Sequence, residues 1–244
     1  MQTMKTQQLT RELIEAGGID ALVRRDAPSL RVLTEAERAQ SLRETLALRP
    51  DGPVWLFAYG SLIWNPMIRT EECRTARIEG WHRAFCLSTM VGRGTCENPG
   101  LTLALDEGGS CTGVAFRIAE EELEPELALL WRREMLSGSY VPRWLDVHAP
   151  DGERFGSAIA FTTNRSSAQY AGGLPPEEVI RRLATAHGAI GSAAEYLFAT
   201  CRGLEGHGIP DPVLEELAAA VERHRAQFAS STEAADVPCA GGTP

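Results

Sequence analysis

Lysine is almost missing from this 244-residue chain: Lys5 is the single one, and the other 23 of its 24 basic side chains are arginine. Acidic side chains number 33, the formal net charge is −9, and no run of arginines exceeds a pair. The clustered basic face by which nucleic-acid-binding proteins hold phosphates is therefore absent, so no nucleic-acid partner is expected. The arginine skew reads as coding bias. Cys-x-x-Cys pairs are missing too. The six cysteines, Cys73, Cys86, Cys96, Cys111, Cys201 and Cys239, stand apart from one another and from the five histidines, which excludes the spacings of zinc sites. Long apolar runs are also lacking, because charges, glycine or proline interrupt every one well short of the ~20 residues of a membrane-spanning helix. Met1 to Thr6 contain no apolar stretch of the secretory kind, so a cytoplasmic protein with free thiols and no membrane partner is expected. No internal repeat of fixed period is visible.

What is present, 43 % hydrophobic and 23 % charged residues, suits one globular domain with tails. The pattern changes at Pro50-Asp51-Gly52-Pro53. Residues 1–53 read as a helical N-terminal extension: Leu9, Leu13 and Ile14 suggest a short amphipathic helix stopped by Gly17-Gly18, and Thr34-x-x-Glu37 is a capping box. Residues 54–228 read as the main domain. Val54 to Tyr59 form an apolar run ended by Gly60, the signature of a strand buried on both faces. A second strand is expected over about 78–88. Leu101, Leu103 and Leu105, then Asp106-Glu107-Gly108-Gly109, then Val114, Phe116 and Ile118 read as a hairpin, and a second hairpin turns at Pro150-Asp151-Gly152-Glu153. Between them a helix is expected from Glu120 to about Leu136, ended by Gly138. Helices entered at Pro175-Pro176, at the capping box Ser192-x-x-Glu195 and at Val213 follow, the last ending near Phe228. Residues 229–244 are poor in apolar side chains, and disorder is expected there. The fold class is α+β.

One carboxylate stands where an apolar residue belongs. Leu123, Leu127 and Leu130 step along one helix face, and the next step of four lands on Glu134. Partial burial and the negative end of the helix dipole would both raise its pKa towards that of a general base. A plain ion pair with Arg132 or Arg133 fits the same pattern. A second candidate is the exit of the first strand, Tyr59-Gly60-Ser61-Leu62, whose backbone N–H groups could bind a carboxylate or an oxyanion; an ordinary turn has the same pattern. It is not a dinucleotide or phosphate loop, and Ser61 lacks the flanking glycines of a nucleophile elbow. Arg93, between Gly92 and Gly94, is a candidate partner for a substrate carboxylate or for Glu134; an exposed loop tip fits the same pattern equally well. His82 and His148 have no carboxylate partner nearby in sequence.

Tyr59-Gly60-Ser61-Leu62-Ile63-Trp64-Asn65-Pro66, Gly80-Trp81-His82-Arg83-Ala84-Phe85-Cys86, Gly92-Arg93-Gly94-Thr95, Gly113-Val114-Ala115-Phe116, Trp131-Arg132-Arg133-Glu134-Met135 and Tyr196-Leu197-Phe198 resemble, in this order, the ChaC family of glutathione-specific γ-glutamylcyclotransferases. The resemblance implies a γ-glutamylcyclotransferase-like mixed β-barrel with packed helices. It implies that Glu134 is the catalytic acid/base, and that Leu56, Phe57, Ala58, Tyr59, Gly60, Ser61, Leu62 and Tyr140 bind substrate. In Gly138-Ser139-Tyr140, Ser139 stands where the family commonly has a second glycine. The implied reaction cyclises the γ-glutamyl group of glutathione to 5-oxoproline and releases Cys-Gly, with neither metal nor organic cofactor. Alternatives are a cyclotransferase for other γ-glutamyl peptides or amines, and a non-catalytic regulatory protein related to cation transport.

Overall fold

The apolar run closed by Gly60 forms β1, Trp55–Ala58, and all four of its residues are buried. The computed structural model describes residues 9–235, with side chains through Gln227. Three helices precede β1: α1 (Arg11–Glu15), α2 (Gly18–Asp26) and α3 (Glu35–Ala47). The Thr10 side chain caps α1 by accepting from the Leu13 N–H, and Thr34 and Glu37 form the capping box of α3. After β1 come the one-turn helix α4 (Ser61–Trp64) and two long strands, β2 (Glu72–Thr89) and β3 (Gly100–Arg117). A 3-10 turn at Glu120–Glu122 opens α5 (Leu123–Glu134), followed by β4 (Tyr140–His148) and β5 (Arg154–Thr163). The chain continues through α6 (Pro176–Thr185), two short strands β6 (His187–Gly188) and β7 (Gly191–Ser192), α7 (Ala193–Gly206) and α8 (Pro212–Ala235).

Strands β1-β3-β2-β4-β5 close into a barrel, with β5 parallel to β1 through Trp55↔Ala158 and Leu56↔Ile159. The architecture is α+β, a mixed barrel with helices packed outside it. The β4–β5 hairpin turns where the sequence indicates, with Gly152 at φ 91°. The other predicted hairpin is not there. Residues 100–117 are one strand, paired with β2 from Glu72↔Arg117 to Thr89↔Gly100, so the chain reverses at residues 90–99 instead of at Asp106–Gly109. The physical reason is a bulge. Gly80, Gly108 and Gly109 have φ of 80°, 103° and 68°, and they drop out of register between the pairs Glu79↔Ser110 and Trp81↔Glu107. The glycines bend both strands without ending either, so each strand can wrap the barrel. Helix α8 also runs past Phe228 to Ala235, since no glycine or proline stands before Pro238 to stop it. The rest of the segment expected to be disordered, 236–244, lies outside the described residues.

The barrel interior and the face under α5 hold the core. Trp131 of α5 is 1 % exposed and meets Phe161 of β5 edge to face with centroids 5.2 Å apart, while its Nε1 donates to Ser41 Oγ on α3. Residues 9–53 pack on this domain. Arg11 pairs with Glu126 at 2.8 Å, Trp144 Nε1 donates to Thr45 O, and Leu33 N donates to Leu136 O, just beyond α5.

Two glycines should respond to alanine with opposite signs. At Gly109, φ is 68° and a side chain is strained, so Gly109→Ala lowers stability by about 1 kcal/mol; Gly206 ends α7 with open space around it, so Gly206→Ala raises stability by ~0.5–1 kcal/mol. Denaturant midpoints of the two variants measure this, and a shift of the same sign in both would overturn it.

Candidate active site

The end of α5 and the exit of β1 meet at one side of the barrel. Glu134 is the last residue of α5, its side chain 13 % exposed, and Arg133 Nε lies 2.9 Å from Glu134 Oε1. Arg133 also donates from Nη1 to Asn65 O at 2.6 Å and from Nη2 to Ser61 Oγ at 2.8 Å, so one guanidinium ties the carboxylate to the loop after β1. Burial raises the Glu134 pKa above the ordinary carboxylate range, and the charge and hydrogen bond of Arg133 oppose this only in part. The ion pair and the raised pKa, alternatives on sequence grounds, therefore coexist.

Three tyrosines surround the carboxylate. Tyr59 donates to Phe161 O at 2.7 Å, and Tyr140, at the start of β4, donates to Leu103 O at 3.0 Å. Burial holds both phenols well above their ordinary pKa, with the nearby Glu134 charge adding to it, so both remain protonated. Tyr196, on the first turn of α7, lies over Gly60: a Cβ added there would sit 2.8 Å from the tyrosine oxygen. Burial, with the Glu134 charge adding to it, raises the Tyr196 pKa above its ordinary value, and backbone hydrogen bonds from Leu103 and Ser61 oppose this only in part. Gly60 is thus required by close approach.

A cavity of about 360 Å³ and a narrow one of about 20 Å³ open here, and Ser61, Glu134 and Tyr196 line both. The narrow one is otherwise lined by Tyr59, Gly60, Leu62, Leu103, Tyr140 and Phe161. The site candidates Glu134, Tyr59, Gly60, Ser61, Leu62 and Tyr140 therefore come together. Leu56, Phe57 and Ala58 do not: fully buried in β1, they line neither cavity and serve as barrel wall, because pairing with β3 and burial on both faces leave them no open side. Arg93 lines the large cavity. His82 is hydrogen-bonded to Gly108 O, and neither it nor His148 lines a cavity. Sequence reasoning passed over Tyr196 as a site residue and took Arg133 for a plain partner. The position of Tyr196 in the late Tyr196-Leu197-Phe198 motif was the one available signal.

Two further polar groups position these elements. Arg83, with a 6 % exposed side chain, donates from Nε to Tyr59 O, pairs with Asp211 and donates to Thr112 O at 2.7 Å, anchoring the loop from behind. The Ser139 hydroxyl shares Gln169 Oε1 with Ser137, and Asn164 Nδ2 donates to Gly138 O, which fixes the link from Glu134 to Tyr140. Among the described residues no three His, Cys, Asp or Glu side chains converge as metal ligands do. The arrangement offers a desolvated carboxylate able to accept and return a proton, beside neutral hydroxyls and the backbone N–H of a glycine-serine loop.

A closed mixed barrel with helices packed outside it in this order is the γ-glutamylcyclotransferase fold. A solved selenomethionine-labelled γ-glutamyl cyclotransferase specific to glutathione from yeast superposes with a TM-score of 0.65 at 21 % identity, over 72 % of this chain and 98 % of that one. The family model for ChaC-like protein matches residues 54–224, and the chain belongs to the ChaC family. A relative from Escherichia coli K12, glutathione-specific gamma-glutamylcyclotransferase, is 46 % identical over 77 % of this chain and 81 % of its own length. The Arabidopsis thaliana gamma-glutamylcyclotransferase 2-1 is 33 % identical over 59 % of this chain and 71 % of its own.

The contact between Tyr196 and Gly60 is testable by a double-mutant cycle. Gly60→Ala should lower the melting temperature, and adding Tyr196→Phe, which removes the oxygen 2.8 Å from the new methyl, should recover part of the loss. Strict additivity of the two changes would refute the contact.

Proposed function

We propose that this chain degrades glutathione by intramolecular cyclisation, releasing 5-oxoproline and Cys-Gly, with Glu134 as the acid/base. The observation that carries the reading is the position of the desolvated Glu134 carboxylate where the two cavities meet, against the Tyr59–Leu62 loop. The 46 % identity to the Escherichia coli relative supports the choice of substrate. Nucleophile and electrophile belong to one molecule, so binding has only to fold the γ-glutamyl group into a near-attack ring. The α-ammonium gives up a proton, and its nitrogen attacks the γ-carbonyl carbon to form a five-membered ring and a tetrahedral oxyanion. The amide C–N bond then breaks as the leaving nitrogen is protonated. Two protons leave the ammonium as it becomes the ring N–H, and two arrive on the released amine, so the reaction is balanced without a co-reactant. Glu134 takes a proton on the way in and returns one on the way out. Its raised pKa suits both directions, and Arg133 keeps its carboxylate oriented. Donors of the Tyr59–Leu62 loop stabilise the oxyanion by ~3 kcal/mol for each well-placed group. We assign the enzyme to the cytoplasm, a reading supported by free thiols at Cys73, Cys86, Cys96, Cys111 and Cys201.

Glu134→Gln keeps shape and polarity but removes the base. The purified variant should still bind γ-glutamyl ligands and release no 5-oxoproline; turnover at the wild-type rate would sink the assignment. Ser61→Ala should keep partial turnover, because its hydroxyl accepts from Arg133; a loss as complete as that of Glu134→Gln would point to Ser61 as a nucleophile.

The pH profile follows from the sign of the Glu134 shift. The base works ionised, so kcat/KM falls as pH drops through a pKa raised above the ordinary carboxylate value of about 4.3. An acid limb centred at or below that value would contradict the role.

A further inference from the structure

The proposed cyclisation uses Glu134, Arg133 and the Tyr59–Leu62 loop and leaves the rest of the large cavity unassigned. That remaining wall includes Leu9, Ile19, Leu22 and Leu30 from the segment before β1, together with Gly92 and Arg93 from the β2–β3 reversal. Two guanidinium groups line the cavity, Arg93 and Arg133. Arg133 is committed to Glu134, Asn65 O and Ser61 Oγ. Arg93 is not. Its Nη1 donates to Ser192 O at 2.9 Å, Glu195 Oε2 stays 3.9 Å away, and Nε and Nη2 have no hydrogen-bond acceptor among the described residues.

The side chain of Arg93 is 16 % exposed, and its guanidinium lies over Trp64 and Tyr196, 5.9 and 5.6 Å from their ring centroids. The rings restrict it to one plane, and the turn that carries it is clamped. Ile190 N donates to Gly92 O at 2.8 Å, and Gly188 approaches so closely that a Cβ there would lie 2.5 Å from the same oxygen. The apolar wall is latched as well: Asn65 Nδ2 donates to Leu9 O at 3.1 Å, and Arg11 of α1 pairs with the fully buried Glu126 of α5. A desolvated guanidinium with free donors on a rigid turn, in the same cavity as an apolar wall, suits a ligand with a carboxylate at one end and a compact apolar side.

We propose that the Gly92-Arg93 turn and the segment before β1 form the subsite for the leaving peptide, with Arg93 pairing its C-terminal carboxylate and Leu9, Ile19, Leu22 and Leu30 covering its side-chain face. The proposal rests on the cyclotransferase reading above and adds to it the determinant of preference on the leaving side. The chain's net charge of −9 repels an anionic peptide, so a local cation is what admits one.

The test compares glutathione with its glycine amide, in which the terminal carboxylate is neutral, using release of 5-oxoproline by the full-length protein. Wild type should favour glutathione. Arg93→Gln should raise KM for glutathione about tenfold, the worth of one charge-assisted hydrogen bond, and bring the preference over the amide close to one. Arg93→Lys, which keeps the charge, should recover part of the preference. Leu30→Asp, which sets a carboxylate in the lining of the same cavity, should raise KM for glutathione more than for the amide. Circular dichroism and melting temperatures establish that each variant is folded. The subsite is overturned if the preference survives in Arg93→Gln, or if Leu30→Asp and Arg93→Gln weaken both compounds equally. Failure of wild type to release 5-oxoproline from either compound would overturn the cyclotransferase reading as well, which separates the two failures.

Discussion

The contact on which the structure turns is the pairing of two consecutive residues at the end of α5: the Glu134 carboxylate, withdrawn from water, and the Arg133 guanidinium beside it. Burying a carboxylate is unfavourable unless it is paired, and one that is too well paired would lose its affinity for protons. Here Arg133 divides its donors among Glu134, Asn65 O and Ser61 Oγ. The carboxylate thus keeps one cationic neighbour and a raised pKa. The same guanidinium sets the distance between the Glu134 carboxylate and the loop after β1. Breaking it would disturb the Glu134 carboxylate and the Tyr59–Leu62 loop together.

Everything else serves to hold that end of α5 against the exit of β1. Burial of β1 on both faces fixes its register against β3, and Arg83, which lines neither cavity, holds Tyr59 O. Because the Gly80, Gly108 and Gly109 bulge bends β2 and β3 without ending them, their reversal reaches as far as the cavity and delivers Arg93 to it. Flat strands of that length would have carried the turn elsewhere. The helices before β1 close the remaining side, locked by the Arg11–Glu126 pair and by hydrogen bonds to residues flanking α4 and α5.

Much of this was legible in the chain because local chemistry set it. The capping boxes at Thr34 and Ser192, the apolar β1 run, the β4–β5 turn and the carboxylate at the end of a leucine stripe each depend on neighbours within a few residues. The misread hairpin shows where that ends. Asp106-Glu107-Gly108-Gly109 has the composition of a turn, and whether such a segment reverses or bulges depends on whether a partner strand continues past it. Leu56, Phe57 and Ala58 accompany the loop in the chain, yet the barrel wall buries them and they line neither cavity.

The sequence by itself determined the α+β class, the acidic charge, the glycine-serine loop and the one carboxylate out of place on its helix, since composition and short-range periodicity carry these. Tertiary structure alone decided that Tyr196, more than 130 residues from Tyr59, stands over Gly60, that Arg133 joins the Glu134 carboxylate to the loop after β1, and that the leucines before β1 wall the same cavity as Arg93. These contacts cross long stretches of chain and leave no periodic trace. They exist because closing the barrel brings the ends of β1, α5 and α7 and the β2–β3 reversal to one place.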